Sequence, residues 1–274
     1  MLSFETGGVQ AKNQVEFQIL GETEEFLAVD KPAGLLTHPT KPRGPRTLWH
    51  ELRALLGYEL AIGGQVSLVN RLDRETSGVL LVAKTAEAAR AAGIAMQNGR
   101  SEKEYLALVF GWPDWTQMII DAPIARLGEV AESKVWVERV VDPRGARAIT
   151  RVLVDERLEL TGHRRFSLLK AWPETGRTHQ VRVHLSHVGF PILGDKIYAR
   201  GSRHYLDFIA HGWTKEMESE IWLSRHALHS SRLRIDVGGQ KLEWSSPMPP
   251  DLARVIALPE GSAETVSVGR SAVR

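Results

Sequence analysis

Two spacings of apolar residues run along the chain. Val15-Glu16-Phe17-Gln18-Ile19 changes character at every step and Phe26-Leu27-Ala28-Val29 is a compact apolar run, so each predicts a strand. Leu48, Leu52, Leu55 and Leu56 instead fall on one helical face behind Thr47, a natural N-cap. Residues 79–83 form an apolar β-type run, and Thr85 then caps an alanine-rich helix over 86–97 that stops at Asn98-Gly99. Further strands are predicted over 103–111, around Ile119-Ile120, around Val135-Trp136-Val137, over 148–154 and 166–172, and over 233–237 and 242–244. Gln180, His184 and His187 share a helical face, and 199–224 is polar and partly helical in pattern. Residues 1–13 read as a flexible lead-in and those past Glu260 as a frayed tail. No repeat, heptad array or glycine-rich phosphate loop interrupts this pattern, so a nucleotide cofactor has no support.

Composition narrows the classes. With 274 residues, 43% hydrophobic and 25% charged, the chain suits one large domain or two small ones. No window approaches the eighteen or so consecutive apolar residues of a membrane span, and the start lacks a secretory pattern, so a cytoplasmic protein is expected. The absence of cysteine excludes disulfides and thiolate-bound zinc or iron–sulfur centres, and with them zinc-deaminase chemistry. The formal charge of +2 is too small to argue for nucleic acid alone, although a pI near 8.9 leans that way. Basic residues gather at Lys41-Arg43-Arg46, Arg139-Arg144-Arg147-Arg151, His163-Arg164-Arg165 and Arg225-Arg232-Arg234, a distribution that suits a phosphate backbone and equally suits solvated faces.

Candidate chemistry concentrates in NRLDRETSGVLLVAK, residues 70–84. Asp73 stands between Arg71 and Arg74, and nearby guanidinium groups favour the ionised carboxylate, making it a candidate nucleophile or anchor. The plain alternative is a surface ion pair beside a strand. The turn DKPAGLLTHP, residues 30–39, leaves Lys31 exposed on this reading, and Tyr105 in the strand KEYLALVFG is a core tyrosine whose hydroxyl needs a partner. The Gln180, His184 and His187 face raises a metal site, which ranks low because no carboxylate or HExxH glutamate accompanies it.

The string at 70–84 resembles the HRLDxxTSGLLLLAK signature of the RluA-type RNA pseudouridine synthases, with Asn70 where that family usually has His. Four other stretches resemble the family's motifs in the same order: KPAGLLTHP at 31–39, K-x-Y-x-A-L-V-x-G at 103–111, TGRTHQVRVH at 175–184, and GFPILGD at 189–195 with Phe190 replacing His. Arg225-His226-Ala227-Leu228-His229-Ser230 and the run 246–252 are similar to its closing text. The resemblance implies an α+β catalytic fold, a long, mostly antiparallel mixed sheet with flanking helices and RNA-gripping loops, over 14–258, with 199–224 as an insertion and 259–274 as a tail. It implies isomerisation of uridine to pseudouridine in ribosomal or transfer RNA, by base flipping and without a cofactor. Asp73 would be the nucleophile, Tyr105 would lie against the base and Arg182 would pair with Asp73. Arg71 would fill the space the base vacates, and Arg74, Lys31, Arg177, His179 and Gln180 would touch RNA. No separate N-terminal RNA-binding domain is expected ahead of the first motif, which tilts the substrate mildly towards transfer RNA, and a monomer is expected. Two competing classes are an RNA-folding protein on the same fold and a carboxylate glycoside hydrolase. The first has no need of Asp73, Tyr105 and Arg182, and the second requires a partner acid where arginines stand.

Overall fold

The computed structural model describes residues 16–39, 44–160 and 164–257. The lead-in, the tail, Val15, Lys41, Arg43 and His163 lie outside the described residues. In chain order the elements are β1 (Gln18–Glu22), β2 (Phe26–Lys31), α1 (Leu48–Leu55), α2 (Gly57–Ala61), β3 (Ser67–Leu68), β4 (Ser77–Ala83), α3 (Ala86–Gln97) and β5 (Ser101–Phe110). There follow β6 (Gln117–Asp121), β7 (Ile124–Arg126), α4 (Leu127–Val130), β8 (Arg139–Val141), β9 (Ile149–Leu160), β10 (Arg164–Pro173) and α5 (Gln180–His187). The chain then forms α6 (Arg203–His211), α7 (Lys215–Ile221), β11 (Leu228–Val237), β12 (Gln240–Ser245) and α8 (Pro250–Ile256).

A ten-stranded sheet runs β1-β2-β4-β11-β5-β10-β9-β6, with β12 on β11 and β3 on β4. Among the described residues its one parallel pairing is the short contact of β4 with β11, His229 opposite Ser77 and Ser230 opposite Gly78. This seam requires a glycine. At Gly78, φ is +111° and a Cβ would stand 2.2 Å from the Ser230 carbonyl oxygen, so a side chain there would part the two strands. The sheet is mixed and mostly antiparallel, with helices packed on it, and is an α+β fold.

β4 is apolar from Val79 to Ala83 because both its faces are covered there. Leu80 and Val82 join Leu27 and Val29 of β2 in the larger core, while Val79, Leu81 and Ala83 join Phe26, Ala28 and the Ala88, Ala92 and Ala95 stripe of α3. Thr85 accepts a hydrogen bond from the Ala88 amide at 3.1 Å, as its sequence position predicts.

Three expectations change. Val135-Trp136-Val137 is a turn rather than a strand: Val135 is buried as its anchor, Trp136 points to solvent, and the pairing falls one step later in β8. Lys31 is buried rather than exposed. The basic cluster Arg225-Arg232-Arg234 is matched by acids, Arg225 with Asp251, Arg232 with Glu104 and Arg234 with Glu243, and so cross-links strands and α8. The segment 199–224 forms α6 and α7, which pack through Met217 and Ile221 against Phe110 and are tied together by His204 and Glu220 at 2.9 Å.

Candidate active site

The loop from Asn70 to Thr76 emerges at the seam and is held residue by residue. Asn70 donates to the Val79 carbonyl at 3.2 Å and accepts from the Leu81 amide at 2.8 Å, so its amide fills the β4 hydrogen-bonding edge. The next carbonyls each accept a hydrogen bond: Leu72 from the Thr37 hydroxyl at 2.7 Å, Asp73 from the Thr76 amide at 3.2 Å, Arg74 from the Lys31 ammonium and Gly34 amide at 3.1 and 2.8 Å, and Glu75 from Arg225 at 3.3 Å. The Glu75 side chain in turn accepts from Lys196 at 2.7 Å and from the His226 amide at 3.2 Å. A loop tied at consecutive carbonyls has little freedom, and that positions Asp73.

Lys31 also donates to the carbonyls of Pro32 and Leu35, both at 2.8 Å. Burial pushes its ammonium down to about 7, against the pull of the Asp73 charge.

Asp73 Oδ2 accepts from Arg182 Nη1 at 2.9 Å. The Asp73 side chain keeps 27% of its surface open while that of Arg182 keeps 6%, so the aspartate is partly open and its partner is buried behind it. Arg182 is itself fixed by a two-pronged pair, Nε and Nη2 to the two oxygens of Asp195 at 2.7 and 2.9 Å. Asp195 is fully buried and also accepts from the Ile197 and Tyr198 amides at 3.0 and 3.1 Å. Burial works against the charge on Asp195, but Arg182 and these amides outweigh it and hold the carboxyl below its ordinary range. Burial likewise opposes the charge on Asp73, but His179, once protonated in acid, and the Arg182 charge and hydrogen bond outweigh it and hold the carboxyl below its ordinary range. Burial and the Asp73 charge push the Tyr105 hydroxyl up to about 12, with a hydrogen bond to Ser230 pulling the other way, so the phenol keeps its proton at neutral pH.

The structure thus brings Asp73, Tyr105, Arg182 and His179 together. Arg71 is exposed and has no hydrogen-bond or ionic partner among the described residues. Arg74 and Arg177 are exposed and each anchors Nε on a carbonyl, of Gly34 and Arg147 respectively, both at 3.0 Å. Gln180 is an internal brace rather than an RNA-facing residue: its oxygen accepts from the Thr175 hydroxyl and Arg177 amide, and its nitrogen donates to the Ile149 carbonyl and Thr150 hydroxyl. Lys31 also has no donor left for RNA. The helical face of Gln180, His184 and His187 does not converge. His184 is buried with both ring nitrogens engaged, by the Thr150 hydroxyl and the Ala122 carbonyl at 2.9 Å each, while His187 is exposed. Sequence reasoning missed Asp195, Tyr198 and Lys196. The signal for Asp195 and Lys196 was a charged pair set one residue past the apolar run Pro191-Ile192-Leu193, a place where ionic groups are buried only if matched.

The mixed sheet thus carries, at its parallel seam, an ionised and partly open aspartate backed by a buried arginine. Among solved structures the fold is similar to human RNA pseudouridylate synthase domain containing 1, with a TM-score of 0.63 and 26% identity over 91% of this chain and 89% of that one. The family described as RNA pseudouridylate synthase matches residues 25–187. Ribosomal large subunit pseudouridine synthase D of Pseudomonas aeruginosa is 36% identical over 258 residues, 93% of this chain and 75% of that protein. Ribosomal large subunit pseudouridine synthase C of Pasteurella multocida is 32% identical over 252 residues, 89% of this chain and 68% of that protein. The chain belongs to the RNA pseudouridylate synthase family and is an RNA pseudouridine synthase, an isomerase whose substrate is RNA. Nothing in these similarities favours the non-catalytic alternative.

Proposed function

We propose that Asp73 is the nucleophile of this isomerisation and that its RNA is that of the large ribosomal subunit. The observation that carries the first part is the open Asp73 carboxylate resting on a buried Arg182. The names of the similar synthases D and C carry the second, and weigh more than the tilt towards transfer RNA. In the reaction C1′–N1 breaks and its electron pair leaves with uracil N1, while the Asp73 carboxylate stabilises or bonds C1′. The base turns, C1′–C5 forms, C5 loses its proton and N1 gains one. All atoms are conserved and the balance calls for no oxidant or reductant. Arg182 holds Asp73 ionised, Tyr105 presents a protonated phenol to the base, and Arg71 is free to enter the stack that the flipped base leaves.

Two surfaces support an RNA track leading to this site. A groove of about 950 Å³ is lined by Trp172, by the cations Arg100, Lys103, Arg147, Arg151, Arg234 and Lys241 and by the acids Glu102, Glu174, Asp236 and Glu243, and Lys103 lies two residues before Tyr105 on the same face of β5. On the other flank the turn between α4 and β8 presents Trp136, 78% exposed, with the Arg126 guanidinium 3.7 Å from its ring centroid and the other ring face open. An aromatic face bordered by cations suits an unpaired base. Arg144, by contrast, folds back on Asp142 at 2.8 and 2.9 Å and shapes its own turn.

The test is pseudouridine mapping of unmodified ribosomal and transfer RNA fractions after incubation with wild-type protein and with Asp73→Asn. Signal in the ribosomal fraction from wild type alone is expected. Turnover by Asp73→Asn would sink the nucleophile assignment, and signal confined to transfer RNA would sink the substrate.

A further inference from the structure

The sequence reading placed His179 among the RNA contacts, yet the structure turns its ring inward. Nδ1 lies 2.8 Å from the Tyr198 hydroxyl and Nε2 lies 3.9 Å from Asp73 Oδ2. Its backbone is left-handed, φ 59° and ψ 16°, at the N-terminus of α5, a conformation that glycine or asparagine adopts with less strain.

The hydrogen bonds around Tyr198 decide which ring nitrogen carries the proton. The Tyr198 oxygen accepts from the Arg139 amide at 2.9 Å, and among the described residues the hydroxyl hydrogen has one acceptor in reach, His179 Nδ1. Burial keeps the phenol protonated, and burial with the Arg182 charge pushes the His179 ring down to about 4, so the ring is neutral in the working range. A neutral imidazole that accepts at Nδ1 carries its hydrogen on Nε2.

We propose that His179 is a positioning residue for the nucleophile: Tyr198 holds it as the Nε2–H tautomer, and its N–H is directed at Asp73 Oδ2 beside Arg182, leaving Oδ1 to meet the sugar. The inference rests on the reading of Asp73 as nucleophile. Oδ1 receives no hydrogen bond from any described residue, whereas both Arg182 and His179 address Oδ2. The 3.9 Å gap is too long for a hydrogen bond in the free protein, and a closure of about 1 Å brings it to the ordinary N–H···O length. The chain Arg139–Tyr198–His179–Asp73 also joins the nucleophile to β8, on the flank that presents Trp136, so RNA seated there is connected to this closure.

Two substitutions separate positioning from packing. His179→Asn suits the left-handed backbone and keeps a polar atom near the Nδ1 position facing Tyr198, but removes the group that faces Asp73. His179→Gln places an amide nitrogen near the Nε2 position. Steady-state assays on RNA should show kcat reduced roughly 10- to 100-fold in His179→Asn, with KM for RNA unchanged. Loss of a donor beside a carboxylate raises its pKa, so the acid limb of the rate profile moves to higher pH. Arg182, Asp195, Arg139, Tyr198, Tyr105, Lys31 and the buried His226 are the other charged or titratable groups around this pair, and all remain in both variants. His179→Gln should recover most of kcat and return the limb. Tyr198→Phe frees the ring to take either tautomer and should shift the limb the same way by less. Wild-type kcat and acid limb in His179→Asn would overturn the proposal, as would a loss that tracks thermal stability and that Gln does not restore. A turnover-competent Asp73→Asn would overturn the nucleophile reading itself, whereas an inactive Asp73→Asn with an unaffected His179→Asn would overturn this proposal alone.

Discussion

Arginine and aspartate meet both at the seam and on the hairpin formed by β7, α4 and β8, yet the same chemistry does different work in the two places. At the seam, Arg182 and Asp195 are buried, satisfy each other with two hydrogen bonds, and leave one guanidinium nitrogen for Asp73. On the hairpin, Arg144 closes on Asp142 two residues away, both on a solvent-facing turn, and the pairing only shapes that turn. Buried pairs are costly to break because the survivor is stranded in low dielectric, whereas exposed pairs are screened by water. The seam should therefore control kcat and stability, and the hairpin should control RNA affinity.

Asp195→Asn strikes hardest at this contrast. It removes half of the charge that compensates buried Arg182, and should cost about 3–5 kcal/mol in denaturant unfolding together with most of kcat. A loss under about 1 kcal/mol would mean that the paired carboxylate is not what frames Arg182.

Lys31→Met comes next. Three carbonyls that receive the ammonium, those of Pro32, Leu35 and Arg74, lose that donor in a buried site, so a loss of order 2–4 kcal/mol and a lower kcat are expected. The folded pKa of Lys31 is about 7 against 10.5 for the free side chain, so between those values the unfolded chain binds the extra proton. Wild-type stability then carries a component that rises with pH across that window, at up to about 1.4 kcal/mol per unit, and is flat below it. Chemical unfolding at several pH values from 7 to 10 should show this component in wild type and lose it in Lys31→Met. An identical slope in both would place the titration elsewhere.

Trp136→Ala has the smallest effect on the fold. Its ring is exposed, so the melting temperature should hold while KM for RNA rises roughly tenfold, the worth of a base stacked on an aromatic. A drop in kcat at unchanged KM would erase the division between the two regions.

Much of the local structure was legible in the chain. Thr85 and the alanine stripe mark α3, the apolar run of β4 signals a strand covered on both faces, and the spacing of Gln180 and His184 marks α5. These features act within a strand or a helical turn, over distances that a sequence window spans. The misreading at Val135-Trp136-Val137 came from β-propensity, which the buried Val135 and the turn around it override. Asp73 and Arg182 were legible as a pair only through resemblance, because they lie 109 positions apart.

By itself, the sequence determined β2, β4, β5 and β10, the helix α3 with its Thr85 cap, the helix α5, and the motifs that mark the family. Tertiary structure alone decided the rest: that Lys31 and Gln180 turn inward as braces, that Asp195 holds Arg182, that Arg225, Arg232 and Arg234 are matched by acids, and that His179 faces Asp73. The reason is physical. Burial and the choice of a charge partner are set by what the sheet brings together from distant parts of the chain, and in a low-dielectric interior those two quantities determine what each charged group does.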